Sequence, residues 1–194
     1  MFCRIIIANF ALKQKISDMD GFSVLLANRR SMRKFTEERL TDGQKKTILP
    51  AALISPTAKN NRGWEFVTVE NPVILKKLSE CRSMGSGFLA EAVFAVVVLG
   101  QPAENDCWIE DCSIAARDMQ LQAEDLGLGS CWCHIRGRAD ADGKPAKETI
   151  AELLGVPGKY EPLCLIGFGY KNMERKPYED DKIEWSKVHK DRFG

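Results

Sequence analysis

Residues Ala92-Val93-Phe94-Ala95-Val96-Val97-Val98-Leu99 form an unbroken apolar run rich in β-branched side chains. Successive side chains of a strand point to opposite faces. A strand of this composition therefore needs apolar cover on both of them. A sheet held between two layers of helix meets that demand, and the rest of the chain supplies the parts. Thr41-Asp42-Gly43-Gln44 has the spacing of a capping box. The helix it starts carries Ile48, Leu49, Ala52 and Leu53 inward, with Pro50 predicting a kink or a late start. Asp18-Met19-Asp20-Gly21 offers N-cap chemistry for a helix over 22–29, and Asn71-Pro72 opens a short helix through Leu78. Ile109, Cys112, Ala115, Ala116, Met119 and Ala123 recur at helical steps between 106 and 126. That stripe of small side chains suits close helix packing, within the chain or across a dimer axis. Gly127-Leu128-Gly129 is expected to end that helix. A further helix is predicted over 146–154, and strands over 64–69, 130–135 and 163–169. The elements alternate without a strict βαβ rhythm, which predicts a layered α+β domain.

A chain of 194 residues is most simply one domain, able to bury roughly 70% of its unfolded surface. Residues 1–17 read as an extension, expected to be poorly ordered, ahead of a domain over 18–170. Residues 171–194 are charged and proline-bearing with no packing face of their own, so the tail is expected to lie on something else, a partner subunit. The net charge is +1, so no global field draws the chain to nucleic acid or anionic lipid. No stretch reaches the ~20 apolar residues needed to span a bilayer. Seven cysteines at 3, 81, 107, 112, 131, 133 and 164 make no disulfide framework and read as reduced thiols of a cytoplasmic protein. Cys131-Trp132-Cys133-His134 is too tightly spaced to wrap one tetrahedral ion, so no metal is expected.

On this nearly neutral body, Asn28-Arg29-Arg30-Ser31-Met32-Arg33-Lys34-Phe35 packs four cations and a hydroxyl into six residues. Guanidiniums grip phosphate through paired hydrogen bonds. Two arginines and a backbone amide could balance the −1.5 to −2 charges of a phosphate monoester. The alternative is a helix end with surface cations that favour its dipole. Neither a Gly-x-Gly-x-x-Gly turn nor a Walker A motif is present, so side chains and a helix end would have to hold any phosphate.

Three segments in order carry a resemblance. Asn28–Phe35 follows Arg-Arg-Ser-x-Arg-x-Phe, and the stretch from Pro56 to Trp64 follows Pro-Ser/Thr-x-x-Asn-x-Gln-Pro-Trp. Leu126-Gly127-Leu128-Gly129-Ser130-Cys131-Trp132 follows Gly-Leu-Gly-x-x-Trp. Over residues 20–178 the chain resembles the nitroreductase family of flavoproteins in its short bacterial form. The resemblance implies a three-layer fold, a mostly antiparallel sheet flanked by helices. It implies an intertwined homodimer whose C-terminal tail crosses to the partner. It implies FMN held without a covalent bond at the dimer interface, and NADH or NADPH as electron donor. By position, Arg29, Arg30, Ser31 and Arg33 would hold the phosphate and ribityl chain. Pro56, Thr57 and Asn60 would reach the flavin from the other subunit. Trp132, Cys133 and His134 would line the ring through backbone amides, and Arg175 and Lys176 match a second phosphate clamp loosely. Lys59 stands where a small residue is usual, and Arg62-Gly63 replaces Gln-Pro.

The implied activity is reduction of small electron-poor acceptors, nitroaromatics or quinones, in a ping-pong cycle. Hydride transfer is then the flavin's chemistry, and the protein supplies binding, orientation and electrostatics. No acid–base dyad is required. Dehalogenation, enone reduction and flavin cleavage are alternatives on the same fold. A low-turnover flavin-binding or thiol-sensing protein is a third reading, motivated by the cysteines and the altered Arg62-Gly63 turn. Phe88 and Trp108 read equally as pocket walls or as core.

Overall fold

The computed structural model describes residues 21–193. They divide into two compact units, 29–175 and a smaller one combining 21–28 with 176–193. The predicted extension 1–17 and the N-cap chemistry at Asp18 and Asp20 lie outside the described residues.

In the larger unit, β1 (Glu65–Val69), β2 (Phe94–Gly100), β3 (Leu128–His134) and β4 (Glu161–Tyr170) form one sheet in the order β1-β2-β4-β3. Every pairing is antiparallel. All seven residues of β2 are buried, as the apolar run requires. Phe94, Val96 and Val98 face one side with Ile48 and Ala52 of α2 (Asp42–Leu53) and with Cys112, Ala115, Ala116 and Met119 of α4 (Trp108–Asp125). Ala95, Val97 and Leu99 face the other side. There they meet Leu75 and Leu78 of α3 (Pro72–Leu78) and Ala146 and Ile150 of α5 (Ala146–Leu154). These are the three expected layers, with one core on each face of the sheet.

Local chemistry sets most boundaries. Thr41 Oγ1 accepts the Gln44 N–H at 3.2 Å, while Gln44 Oε1 accepts the Thr41 N–H at 2.9 Å, closing the capping box. Asn71 Oδ1 accepts the Val73 N–H at 2.9 Å, and Pro72 occupies the first turn, where its missing N–H costs nothing. Pro50 is carried inside the last turn of α2, so the helix starts on time. At the end of α4 the expectation needs correction. Only Gly127, at φ +74°, terminates the helix; Leu128 and Gly129 already belong to β3.

The extended segment 31–36 joins the sheet as an extra margin. Ser31 forms a parallel bridge with Ser130, and the Met32 N–H donates to the Ser130 carbonyl at 3.0 Å. Farther on, the Thr36 N–H donates to the Tyr170 carbonyl at 3.0 Å, and the Asn172 N–H to that of Lys34 at 3.0 Å.

In the smaller unit, α1 (Phe22–Asn28) stops one residue short of the predicted helix end. The Tyr178 N–H donates to the Ala27 carbonyl at 3.0 Å, tying the tail to this helix. Phe22, Leu26, Ile183 and Trp185 are exposed. Among the described residues no helix is long and apolar enough to cross a membrane.

Candidate functional site

Arg29 directly follows the last residue of α1 and begins the extended segment. Its side chain is half-buried, and its Nε is fully buried without a hydrogen-bond acceptor. A buried donor of this kind costs about 1–3 kcal/mol when left unsatisfied, more for a charged group. An anion oxygen placed against Arg29 would supply the missing acceptor. Ser31 lies two residues on and bridges Ser130, next to Cys131, whose thiol donates to the Trp132 carbonyl at 3.7 Å. Burial pushes that thiol up, the guanidiniums of Arg33 and Arg29 opposing. Arg33 is exposed, with its N–H donating to Met173 Sδ at 3.3 Å. The structure thus gathers Arg29, Ser31 and Arg33 beside Ser130 and Cys131, and Arg30 belongs to the same extended segment.

Two glycines decide how deep that segment sits. Gly129 of β3 and Gly169 of β4 are cross-strand partners. A Cβ on Gly129 would lie 2.9 Å from Met32 Cβ, and one on Gly169 would lie 2.8 Å from Phe35 Cβ. Met32 and Phe35 therefore rest directly on sheet backbone, which fixes the height of Arg29 to Arg33 above it.

The second motif forms a strained loop. Thr57 Oγ1 accepts the Arg62 N–H at 3.0 Å, and Asn60 Oδ1 accepts the Arg62 Nε–H at 3.2 Å. Lys59, Asn60 and Arg62 have φ of +53°, +53° and +51°, a region that asparagine tolerates and other side chains rarely adopt. The clamp is Asp111 on α4, buried at 4% exposure. Its Oδ1 accepts the Ala58 N–H at 2.8 Å and its Oδ2 accepts Asn105 Nδ2–H at 2.8 Å. Asn105 Oδ1 is already committed to the Cys107 N–H at 2.9 Å. Pro56 leads directly into this loop.

The third motif lies along β3. Trp132 and His134 are half-buried, whereas Cys133 is fully buried with its side chain in the core. Cys133 and Cys81 are both buried in that core; the neighbouring thiol and then Arg82 hold Cys133 down against burial, while Cys133 and burial push Cys81 up. Burial, then Arg138, Arg82 and Arg136, hold His134 below its ordinary range. Its imidazole is accordingly expected to be neutral at pH 7. A proton-NMR titration should show a midpoint below 6.5, and Arg138→Gln should move it upward. Because the folded value is the depressed one, the unfolded chain takes up the proton first. This stabilising contribution is full above pH 6.5 and falls away as the pH drops through the folded midpoint.

Phe88 and Trp108 are both buried in the two cores, which settles their side chains as packing. Arg175 ends the larger unit with an exposed side chain, and Lys176 belongs to the smaller one. Three residues that organise the site were not legible as such in the sequence: Asp111, Asn105 and Gln120. Gln120 on α4 reaches Ser130 Oγ at 3.4 Å. For Asp111 and Gln120, polar residues set beside a stripe of small packing side chains were the available signal; Asn105, before that stripe, offered none.

The family model of the nitroreductase family matches residues 26–86 and 82–170. A protein of Archaeoglobus fulgidus, provisionally named an NADH dehydrogenase/NAD(P)H nitroreductase, is 31% identical over 87% of this chain and 97% of its own. An FMN-dependent nitroreductase of Clostridium difficile R20291 is 43% identical, with a TM-score of 0.85 over 87% of this chain and 98% of that one. A nitroreductase of Desulfitobacterium hafniense DCB-2, solved with bound FMN, is 25% identical with a TM-score of 0.70 over 85% and 97%. With its three motifs brought onto one antiparallel scaffold, and with these matches spanning most of its length, the chain belongs to the nitroreductase family.

Proposed function

We propose that this protein is an FMN-dependent oxidoreductase that takes electrons from NADH or NADPH and reduces small, flat, electron-poor acceptors such as nitroaromatics or quinones. The observation that carries this reading is the buried Arg29 Nε without an acceptor, on a segment bearing Arg30, Ser31 and Arg33. Phosphate oxygens are suited to that donor, since guanidiniums bind them bidentately. The names of the matched relatives, one FMN-dependent and one solved with FMN, support the same cofactor.

FMN would supply the hydride chemistry when bound, accepting from the nicotinamide and delivering to the acceptor. Arg29, Arg30, Ser31 and Arg33 would hold its phosphate and ribityl chain. Backbone groups of Trp132, Cys133 and His134 would position the ring, and a neutral His134 would place no charge beside it. Pro56, Thr57 and Asn60 would approach from a second copy of the chain, in a homodimer. The exposed apolar residues of α1 and of the tail support burial against that copy, and Arg175 and Lys176 would complete the phosphate clamp from the tail. Donor and acceptor would then use one open face in turn, a ping-pong cycle.

Purified protein is expected to be yellow, to release one FMN per chain on denaturation, and to bleach on addition of NADH or NADPH. Arg29→Ala should weaken FMN binding by about 1.5–3 kcal/mol, tenfold or more in Kd, through loss of a charge-assisted bond. Colourless protein that cannot be reconstituted with FMN would refute the assignment, and initial-rate plots that intersect rather than run parallel would refute the ping-pong order.

A further inference from the structure

Helix α4 carries a cation that belongs to none of the three motifs. Arg117 lies three residues before Gln120 on this helix, and residues so spaced share a face. Gln120 reaches Ser130 Oγ, Ser130 is bridged to Ser31, and the Ser130 carbonyl accepts the Met32 N–H. That face of α4 therefore looks onto the segment that begins with Arg29. Arg117 is half-buried and, among the described residues, pairs with no carboxylate within 4.0 Å. Arg29 likewise has no carboxylate partner among them, and its Nε has no acceptor.

Arg117 also lies within the electrostatic reach of Arg29. Burial, then the charge of Arg29, lowers the pKa of Arg117, with the neighbouring Asp118 opposing. Burial pushes Asp118 up, with Arg117 opposing. A like charge beside a half-buried guanidinium disfavours its charged form. A third charge of opposite sign resolves the conflict. A phosphate monoester, at −1.5 to −2, has the charge for two guanidiniums and the oxygens to accept from both.

We propose that Arg117 is a phosphate-binding residue of this protein, closing with Arg29 on the phosphate of the flavin from the α4 side. The proposal rests on the FMN reading above for the identity of the phosphate, and on the placement of Arg117 and the unsatisfied Arg29 for the site itself. It extends the clamp beyond the Arg29–Arg33 segment, to a helix that also holds the loop 57–62 through Asp111.

The test uses full-length protein stripped of flavin, titrated with FMN and with riboflavin, which lacks the phosphate. Arg117→Gln is expected to raise the FMN Kd roughly tenfold or more and to leave the riboflavin Kd within about twofold. Arg117→Lys, which keeps the charge but not the planar fork, should lose less FMN affinity than Arg117→Gln. Should Arg117→Gln fold poorly, the lysine variant carries the test alone, with a several-fold FMN loss and an unchanged riboflavin Kd expected. Equal weakening of both ligands would make Arg117 merely structural and overturn the proposal, as would an unchanged FMN Kd. Inorganic phosphate separates the two claims. It should raise the melting temperature of flavin-free wild type and raise it less in Arg117→Gln. If phosphate behaves so while wild type fails to bind FMN, the anion site stands and the flavin assignment falls. If wild type binds FMN tightly but neither substitution matters, the reverse holds.

Discussion

Phe168→Ala is expected to destabilise the protein by about 3–5 kcal/mol, measured as a lower urea midpoint at unchanged m-value. Phe168 is fully buried on β4 and sits directly across from Phe94 of β2. The two rings are 5.7 Å apart at 35°, a tilted pair worth more than its area alone. Both point into the core that α2 and α4 cover. Truncation removes the ring and leaves a void among the packed side chains of that core, which relax into it only in part. Phe168→Leu should cost clearly less, because most of the volume is retained. Equal losses for the two variants would mean that the aromatic pair and the cavity are not what the site depends on.

Asp111→Ala is expected to be the most damaging polar substitution. It removes two charge-assisted hydrogen bonds, worth about 1.5–3 kcal/mol each, to the Ala58 N–H and to the Asn105 amide. Lys59, Asn60 and Arg62 hold left-handed backbone conformations that cost of order 1–3 kcal/mol each for residues other than glycine. With the anchor gone, that strain drives the loop out of its present shape. Asp111→Asn should not rescue it. Its amide nitrogen would face that of Asn105, whose own oxygen is already engaged by the Cys107 N–H. The measurements are urea unfolding and limited proteolysis across 57–62. A variant with wild-type stability and an uncut loop would show that Asp111 does not hold the segment.

Where a boundary is written in local chemistry, the sequence predicts it well. The Thr41/Gln44 box, the Asn71-Pro72 start and the apolar run of β2 each place an element, and helix α5 begins and ends where its pattern does. The motifs also placed the cation segment and the loop after Pro56. Long-range contacts were harder to read. Gly129 looks like part of a helix stop, yet it is a strand residue because Met32 lies on its backbone, a neighbour almost a hundred positions away. Lys59 and Arg62 give no composition cue for a left-handed backbone, since Asp111 imposes it from α4. Arg117 belongs to none of the three motifs, and it is the Gln120–Ser130 contact that shows which way its helix face looks. The side chain of Cys133 turns inward by strand alternation, and the whole residue is buried.

The floor under the guanidinium segment is made of hydrogen atoms at Gly129 and Gly169. No amino acid offers a size between that hydrogen and a methyl group, so the vertical position of the segment has a single permitted setting. Descendants of this chain can retune the strength of their anion grip by exchanging cations along residues 29–33. They cannot do so by raising or lowering the whole strand in small steps. Variation at the site is thereby channelled into charge and away from depth.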